Sequence, residues 1–133
     1  SGLKAFSYDA SNSPDLFPPL VVLGLNAEGT SKIHGVNRLY HKESDRATVL
    51  MNEFGKLGGH IRIDGDTMYV SKSSLKGGSM DTHNDHRIVM AGAIAGLKAE
   101  EPVMLEEISS VSKSYPEFFD DFLALKEEQG EVV

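Results

Sequence analysis

The chain has 133 residues, no cysteine and a formal net charge of −7. With 40% hydrophobic and 25% charged residues, its composition is that of an ordinary globular domain or of a piece of a larger protein. The absence of cysteine excludes disulfides, thiolate zinc sites and cysteine nucleophiles. So acidic a chain is a poor nucleic-acid binder, because it has no surplus of lysine and arginine to displace the counterions of phosphates.

No segment of the sequence is expected to cross a membrane. The longest apolar runs, 16–25 and 88–97, have ten residues each, whereas a spanning helix needs about 20. Residues 1–4 lack the basic and apolar regions of a signal peptide. We therefore expect a cytoplasmic protein.

In chain order, the hydrophobic patterns predict strands that alternate with helices. Strands are predicted over 3–9, 30–36, 60–63, 67–70, 79–82 and 103–108. Helices are predicted over 16–25, 43–57 and 85–97, and after a capping box at 114–117. The clearest helix is 43–57, where apolar residues follow a period of 3.6, while 85–97 is apolar on all sides and is predicted to be buried on all sides. Asp64-Gly65-Asp66 predicts a hairpin between two of the strands.

The chain repeats its own pattern. Asp15 and Asp85 each precede an apolar helix, a strand and a loop that contains a lysine, Lys42 in the first copy and Lys113 in the second. Asp85 follows Asp15 by 70 residues, and Lys113 follows Lys42 by 71. A period of this kind indicates a supersecondary unit that is used more than once. We predict a mixed α/β (α+β) fold, with one unit over about 3–70 and a second over about 76–129.

Charged side chains gather at the predicted helix starts. Asp15, Glu43, Asp45 and Asp85 are well explained there as N-caps. Four cations stand at the same places, where the helix dipole disfavours positive charge: Lys42, Arg46, Arg87 and Lys113. Salt bridges, such as Arg46 with Glu43 or Asp45, would explain any one of them. Four cations at equivalent places of a repeat favour a site for an anionic ligand.

Other kinds of site have less support. Asp81, His83, Asp85 and His86 lie close together in sequence. However, the pair His83-x-x-His86 is not flanked by a third ligand at a recognised metal-site spacing, so no metal is predicted. The sequence also lacks the Gly-x-Ser-x-Gly elbow, the P-loop and the Gly-x-Gly-x-x-Gly fingerprint. Serine hydrolase, P-loop and dinucleotide-binding functions are therefore not supported.

Four motifs together resemble one enzyme family. They are Pro14-Asp15, Lys-Glu-Ser-Asp-Arg at 42–46, Asn-Asp-His-Arg at 84–87 and Ser-Lys-Ser-Tyr-Pro-Glu-Phe-Phe at 112–119. In this order and spacing they look like the C-terminal part of the 3-phosphoshikimate 1-carboxyvinyltransferase (EPSP synthase) family. The resemblance covers nearly the whole chain.

The resemblance implies an activity and a fold. The family moves the enolpyruvyl group of phosphoenolpyruvate to the 5-hydroxyl of shikimate 3-phosphate and releases phosphate, the penultimate step toward chorismate and the aromatic amino acids. Its fold has two domains of three β-α-β-α-β-β units each, with inner helices buried and helix N-termini facing the cleft. By family size this chain is under a third of the enzyme, so its missing partner is the N-terminal half. We expect the isolated chain to be inactive and able to self-associate.

The resemblance also assigns residues to shikimate 3-phosphate. Asp15 would contact its hydroxyls and help to deprotonate the attacking one, and Lys42 would bind the same substrate. A substrate-binding asparagine of the family, four residues before the lysine, falls on Arg38 by ungapped counting, with Asn37 one position away.

The remaining assignments concern phosphoenolpyruvate. Glu43 would take part in proton transfer at its methylene carbon. Arg46, Arg87 and Lys113 would hold its phosphate and carboxylate, and His86 would line the pocket. No cofactor is implied. Two alternatives stay open: a relative of UDP-N-acetylglucosamine enolpyruvyl transferase, and a non-catalytic domain that binds anions or partner proteins.

Overall fold

The computed structural model describes residues 3–40, 42, 44–97 and 99–106. These residues form six strands and three helices. In chain order they are β1 (Ser7–Asp9), α1 (Phe17–Asn26), β2 (Thr30–His34), α2 (Arg46–Lys56), β3 (His60–Asp64), β4 (Thr67–Ser71), β5 (Gly78–Asp81), α3 (His86–Gly96) and β6 (Val103–Glu106). Short 3₁₀ turns, Pro14–Leu16 and Val36–Leu39, precede α1 and follow β2.

The first four strands form a mixed sheet in the order β1-β2-β4-β3. β1 is parallel to β2, and β4 lies antiparallel between β2 and β3. β5 and β6 form a second, parallel pair on either side of α3 in the sequence. The order β-α-β-α-β-β followed by β-α-β matches the predicted repeat, and the predicted α+β class is confirmed.

Some predicted features lie outside the described residues. They include the capping box at 114–117 with the helix after it, and residues 107–108 of the predicted last strand. The boundaries of the two repeat units, 3–70 and 76–129, therefore stay a prediction. None of the three described helices is long and apolar enough to span a bilayer.

The hydrophobic core lies between the helices and one face of the four-stranded sheet. Alternate residues of β2 and β4 point into it, and Ile33, Met68 and Val70 are completely buried. The opposite face is polar, and there the Arg62 guanidinium stacks 4.0 Å from the centre of the Tyr69 ring. This alternation is the period of two that a strand with one buried face requires.

The predicted hairpin is confirmed, and it also supports the loop before α2. β3 and β4 meet at the turn that contains Gly65, which has a positive φ of 62°. The carbonyl of Asp66 accepts hydrogen bonds from the backbone N–H groups of Gly35 and Val36, at 2.9 and 3.1 Å. Its carboxylate accepts a third from the backbone of Asn37, at 2.8 Å. The hairpin turn therefore holds the chain that leads toward Lys42.

Four local predictions were wrong in detail. Asp15 is not an N-cap: it lies within the 3₁₀ turn Pro14–Leu16, and the N-cap position of α1 is Leu16. α2 begins at Arg46 and not at Glu43, because Asp45 is the N-cap that accepts from the backbone of Thr48. The first strand is shorter than predicted: only Ser7–Asp9 pairs with β2 in a continuous ladder, while Lys4 forms an isolated bridge to Glu28. α3 is not buried on all sides: Ile94 is 46% exposed, because the described elements packed against α3, among them α1 and β6, leave this side chain uncovered.

Two glycines within helices provide a test of the packing. A methyl group at Gly24 in α1 would lie 2.9 Å from Cγ1 and 3.0 Å from Cβ of Val70, a stiff side chain in the sheet. Nothing lies within 4 Å of the same position at Gly55 in α2. We expect Gly24→Ala to lower the free energy of unfolding by about 1–3 kcal/mol. Gly55→Ala should raise it by up to about 1 kcal/mol, because alanine favours the helix.

Urea unfolding of the two variants beside the unmodified chain measures this difference. Equal effects of the two substitutions would contradict the close approach of α1 to the sheet.

Candidate functional site

The starts of the three described helices meet in one cluster of charged side chains. Asp15 lies in the 3₁₀ turn before α1, Arg46 is the first residue of α2, and Asp85 is the N-cap of α3. Arg46 contacts both carboxylates, although Asp15 is 31 and Asp85 is 39 residues away along the chain. The cluster therefore joins the elements of the first predicted unit to those of the second.

The centre of the cluster is a buried pair between Arg46 and Asp85. Nε of Arg46 donates to Oδ2 of Asp85 at 2.8 Å, and Nη2 donates to Oδ1 at 3.1 Å. The side chains of Arg46 and Asp85 are 1% and 0% exposed. The hydroxyl of Ser44 donates to the same Oδ2 at 2.8 Å. Two parallel hydrogen bonds of this kind fix the plane of the guanidinium as well as its position.

These contacts keep Asp85 ionised despite its burial. Burial raises the pKa of the Asp85 carboxyl, but the hydrogen bonds from Arg46 and Ser44, the charge of Arg46 and the backbone N–H of Arg87 outweigh it. The pKa of Asp85 therefore lies below its usual value. This is the result expected when opposite charge and several donors surround a carboxylate.

Asp15 is the carboxylate of the cluster that solvent can reach. Its side chain is 51% exposed, and its two oxygens face two different guanidinium groups. Nη1 of Arg46 donates to Oδ1 at 2.9 Å, and Nη2 of Arg87 lies 3.5 Å from Oδ2. Burial raises the pKa of Asp15, but the hydrogen bond from Arg46 and the charges of Arg87, Arg46 and Lys42 outweigh it and lower the pKa.

Arg87 and Lys42 give the cluster its accessible positive charge. Arg87 is 43% exposed and lies in the first turn of α3, and Lys42 is half-buried in the loop before α2. The exposed part of the cluster therefore combines two cations, one carboxylate and helix N-termini, which carry partial positive charge. Such an arrangement can bind a phosphate or a carboxylate and can accept a proton from a nearby hydroxyl.

The structure brings together four of the seven residues predicted from the sequence: Asp15, Lys42, Arg46 and Arg87. His86, which comes directly after Asp85, is the first residue of α3 and is half-buried. Glu43 and Lys113 lie outside the described residues. Arg46 forms salt bridges with Asp85 and Asp15, two partners that the sequence analysis did not suggest; of the two that it did suggest, Asp45 caps α2 and Glu43 lies outside the described residues.

Sequence reasoning missed Asp85 and Ser44 as members of the cluster. It considered Asp85 as a helix cap and as a candidate metal ligand, and the carboxylate does accept from the backbone N–H of Arg87 at 3.0 Å. The available signal was the repeat itself. Asp85 takes the position in the second copy that Asp15 takes in the first, and Arg46 contacts both.

Arg38 and Asn37 are held differently. A nitrogen of the Arg38 side chain donates to the carbonyl of Ser11, in the loop after β1. The side chain of Asn37 is exposed, and its backbone is fixed by Asp66. Asn37 therefore carries a side-chain amide that is accessible to solvent.

The histidine and aspartate cluster of the α3 region does not assemble as one group. His83 lies 3.7 Å from a carboxylate oxygen of Asp81 and 3.9 Å from one of Glu53, while Asp85 is committed to Arg46. Within the described ranges, no three histidine, aspartate or glutamate side chains converge on a point where a metal ion could sit.

The chain is similar to known proteins of one family. The sequence model of the family EPSP synthase (3-phosphoshikimate 1-carboxyvinyltransferase) matches residues 1–122. The 3-phosphoshikimate 1-carboxyvinyltransferase of Clostridium novyi is 47% identical over 123 residues, which are 92% of this chain and 28% of that protein. The enzyme of the same name from Methanosarcina acetivorans is 40% identical over 119 residues, which are 90% of this chain and 27% of that protein.

Solved structures of the same family have a similar fold. An EPSP synthase structure from Acinetobacter baumannii superimposes with a TM-score of 0.75 and 28% sequence identity. The match covers 87% of this chain and 27% of that structure. A second EPSP synthase structure from the same organism gives a TM-score of 0.71 at 26% identity. The chain thus spans just over a quarter of the length of the relatives that it matches.

The two arginines that contact Asp15 should differ in their importance for stability. Arg46→Ala leaves the fully buried carboxylate of Asp85 without its counter-ion, which should lower the free energy of unfolding by about 3–5 kcal/mol. Arg87→Ala removes a half-exposed ion pair and should cost less than about 1 kcal/mol. Urea unfolding at neutral pH measures both. A similar loss for the two variants would contradict the central place of the Arg46–Asp85 pair.

The lowered pKa values of Asp85 and Asp15 predict how stability changes in acid. Carboxyls with a folded-state pKa below the usual value of about 4 contribute stability above that pH, and lose it as the pH falls through the folded-state values. The free energy of unfolding should therefore fall over the acid interval that begins at about pH 4. Asp85→Asn should be less stable at pH 7 but should lose less stability over this interval. Parallel pH profiles of variant and unmodified chain would show that Asp85 is not responsible.

Proposed function

This chain belongs to the EPSP synthase family, and we propose that it supplies one wall of the active site of a 3-phosphoshikimate 1-carboxyvinyltransferase. The substrates in this proposal are phosphoenolpyruvate and shikimate 3-phosphate, and the products are the enolpyruvyl ether and phosphate. The remaining groups of the site belong to the part of the relatives that this chain does not span. The inactivity and self-association expected of the chain alone stay predictions.

The observation that carries the proposal is the exposed carboxylate of Asp15 between two guanidinium groups. Arg46 contacts one of its oxygens at 2.9 Å, and Arg87 lies 3.5 Å from the other. Both of the proposed substrates are anionic, so the site needs cations that are not fully neutralised by the protein. Arg87 and Lys42 provide them on the accessible side of the cluster, despite the net charge of −7 for the chain.

Asp15 is suited to act as the base for the attacking hydroxyl. Its lowered pKa keeps it ionised at neutral pH, so it can accept a proton, and it is at the same time a weaker base than a free aspartate. When the 5-hydroxyl oxygen of shikimate 3-phosphate bonds to the central carbon of phosphoenolpyruvate, its proton passes toward Asp15. The methylene carbon gains a proton at the same stage, for which the family resemblance suggests Glu43. Loss of phosphate and of a proton from the new methyl group then completes the transfer.

The two arginines differ in burial, which suggests that they have different roles. The side chain of Arg46 is 1% exposed and holds two carboxylates, so it offers little accessible surface to an incoming anion. Arg87 is 43% exposed and presents its guanidinium at the surface of the cluster. We therefore assign to Arg87 the main contact with phosphoenolpyruvate in this wall. His86 and Lys113 keep the roles that the resemblance suggests, as lining and as a further cation.

The sharpest test is the effect of Arg87→Ala in a polypeptide that spans the full length of the relatives. Loss of a charge-assisted hydrogen bond to the substrate should raise the KM for phosphoenolpyruvate about tenfold or more. The KM for shikimate 3-phosphate should change much less. Phosphate release with each substrate varied in turn gives both constants.

Arg62→Ala is the matched control, because Arg62 is a cation on the polar face of the sheet, stacked on Tyr69. It should leave both constants unchanged. The acceptor is tested at the same time by replacing shikimate 3-phosphate with UDP-N-acetylglucosamine, which should give no phosphate release. Unchanged KM values in Arg87→Ala, or turnover with the nucleotide sugar, would contradict the proposal.

A further inference from the structure

Asp85 is the most completely bonded carboxylate of the cluster, and it is closed to solvent. Oδ2 accepts from Nε of Arg46 and from the hydroxyl of Ser44, both at 2.8 Å. Oδ1 accepts from Nη2 of Arg46 at 3.1 Å and from the backbone N–H of Arg87 at 3.0 Å. With 0% of its side chain exposed, Asp85 cannot touch a bound substrate. Any effect that it has on the reaction must pass through its neighbours.

The first neighbour is Arg46, which connects Asp85 to Asp15. The guanidinium is planar, so holding its Nε and Nη2 edge also fixes the direction of Nη1. Nη1 is the nitrogen that donates to Oδ1 of Asp15, at 2.9 Å. The bidentate contact with Asp85 therefore determines where Arg46 can hold the exposed carboxylate.

The second neighbour is Arg87, through the first turn of α3. Asp85 is the N-cap of this helix, and its Oδ1 bonds the backbone of Arg87. The guanidinium of Arg87 approaches Oδ2 of Asp15, at 3.5 Å. One buried carboxylate thus bonds the guanidinium of Arg46 and the backbone of Arg87, the two arginines that contact the oxygens of Asp15.

We propose that Asp85 is a positioning residue for Asp15: it holds Arg46 and the first turn of α3 so that both guanidinium groups reach the carboxylate that serves as base. This inference rests on the proposed function, in which Asp15 accepts the proton of the attacking hydroxyl. Asp85 itself makes no contact with substrate. Ser44 supports it, since its hydroxyl donates to one of the two oxygens that bind Arg46.

The competing explanation is that Asp85 is only a helix cap, and the chain offers a matched control for it. Asp45 caps α2 in the same way, with its carboxylate accepting from the backbone N–H of Thr48 at 3.2 Å, but it is exposed. Asparagine caps helices about as well as aspartate. Asp85→Asn and Asp45→Asn therefore both keep a cap, and only the first removes the charge that holds Arg46.

The experiment compares Asp85→Asn, Asp45→Asn and Asp15→Asn in the polypeptide that spans the full length of the relatives. With both substrates saturating, Asp85→Asn should lower kcat by about 10–100-fold, because a displaced catalytic group loses its alignment. The KM for shikimate 3-phosphate should change by less than about threefold, and Asp45→Asn should leave kcat unchanged. If Asp85→Asn matches Asp45→Asn while Asp15→Asn is impaired, the positioning role is overturned. If Asp15→Asn is also fully active, the proposed function itself fails.

A spectroscopic measurement separates positioning from folding. In the 133-residue chain, the buried Nε–H of Arg46 should give a slowly exchanging NMR signal that Asp45→Asn preserves and Asp85→Asn loses. A preserved signal in Asp85→Asn would overturn the inference. If Asp85→Asn does not fold, Ser44→Ala provides the test, because it removes one hydrogen bond from Asp85 and no charge. A kcat lowered by about two- to fivefold, in protein that is still folded at the assay temperature, supports the role, and an unchanged kcat overturns it.

Discussion

The buried ion pair between Arg46 and Asp85 is the interaction on which the rest of the charged cluster depends. Removing two such groups from water is costly, and the cost is offset here only because nearly every polar atom has a close partner. Asp85 accepts from the Nε and Nη2 edge of the guanidinium, from the hydroxyl of Ser44 and from the backbone N–H of Arg87 in the first turn of α3. The pair joins the start of α2 to the start of α3, so it also links the two copies of the repeat.

The fold explains why charged groups from distant parts of the chain meet at this place. Each strand–helix step returns the chain to the same end of the layer, so the N-termini of α1, α2 and α3 converge. Glycines in α1 and α3 allow these helices to pack closely against strands, which makes the layer compact. Gly24 of α1 lies against Val70, and Gly92 of α3 lies against Met80 and Leu105. An acidic chain can in this way present a local group of cations, which the net charge alone would not suggest.

Agreement between sequence and structure was best where the signals are local. The periodic apolar residues of α2, the turn at Gly65 and the caps Asp45 and Asp85 all depend on neighbours within one or two helical turns. The differences arise where distant packing decides. Ile94 is apolar and exposed because burial depends on which elements cover a helix face, and the length of β1 is set by the stretch over which it pairs with β2.

By itself, the sequence determined the order of the elements, the repeat and the family, since four short motifs in fixed order are specific even when each is modest. It also placed the cations Lys42, Arg46 and Arg87 at helix starts. Only the tertiary structure decided which of these cations are buried in ion pairs and which are exposed. It buried Arg46 against a carboxylate 39 residues away and left Arg87 and Asp15 at the surface. The physical reason is that side-chain partners across separate elements, and the degree of burial that sets their energies, depend on packing between segments that no local pattern records.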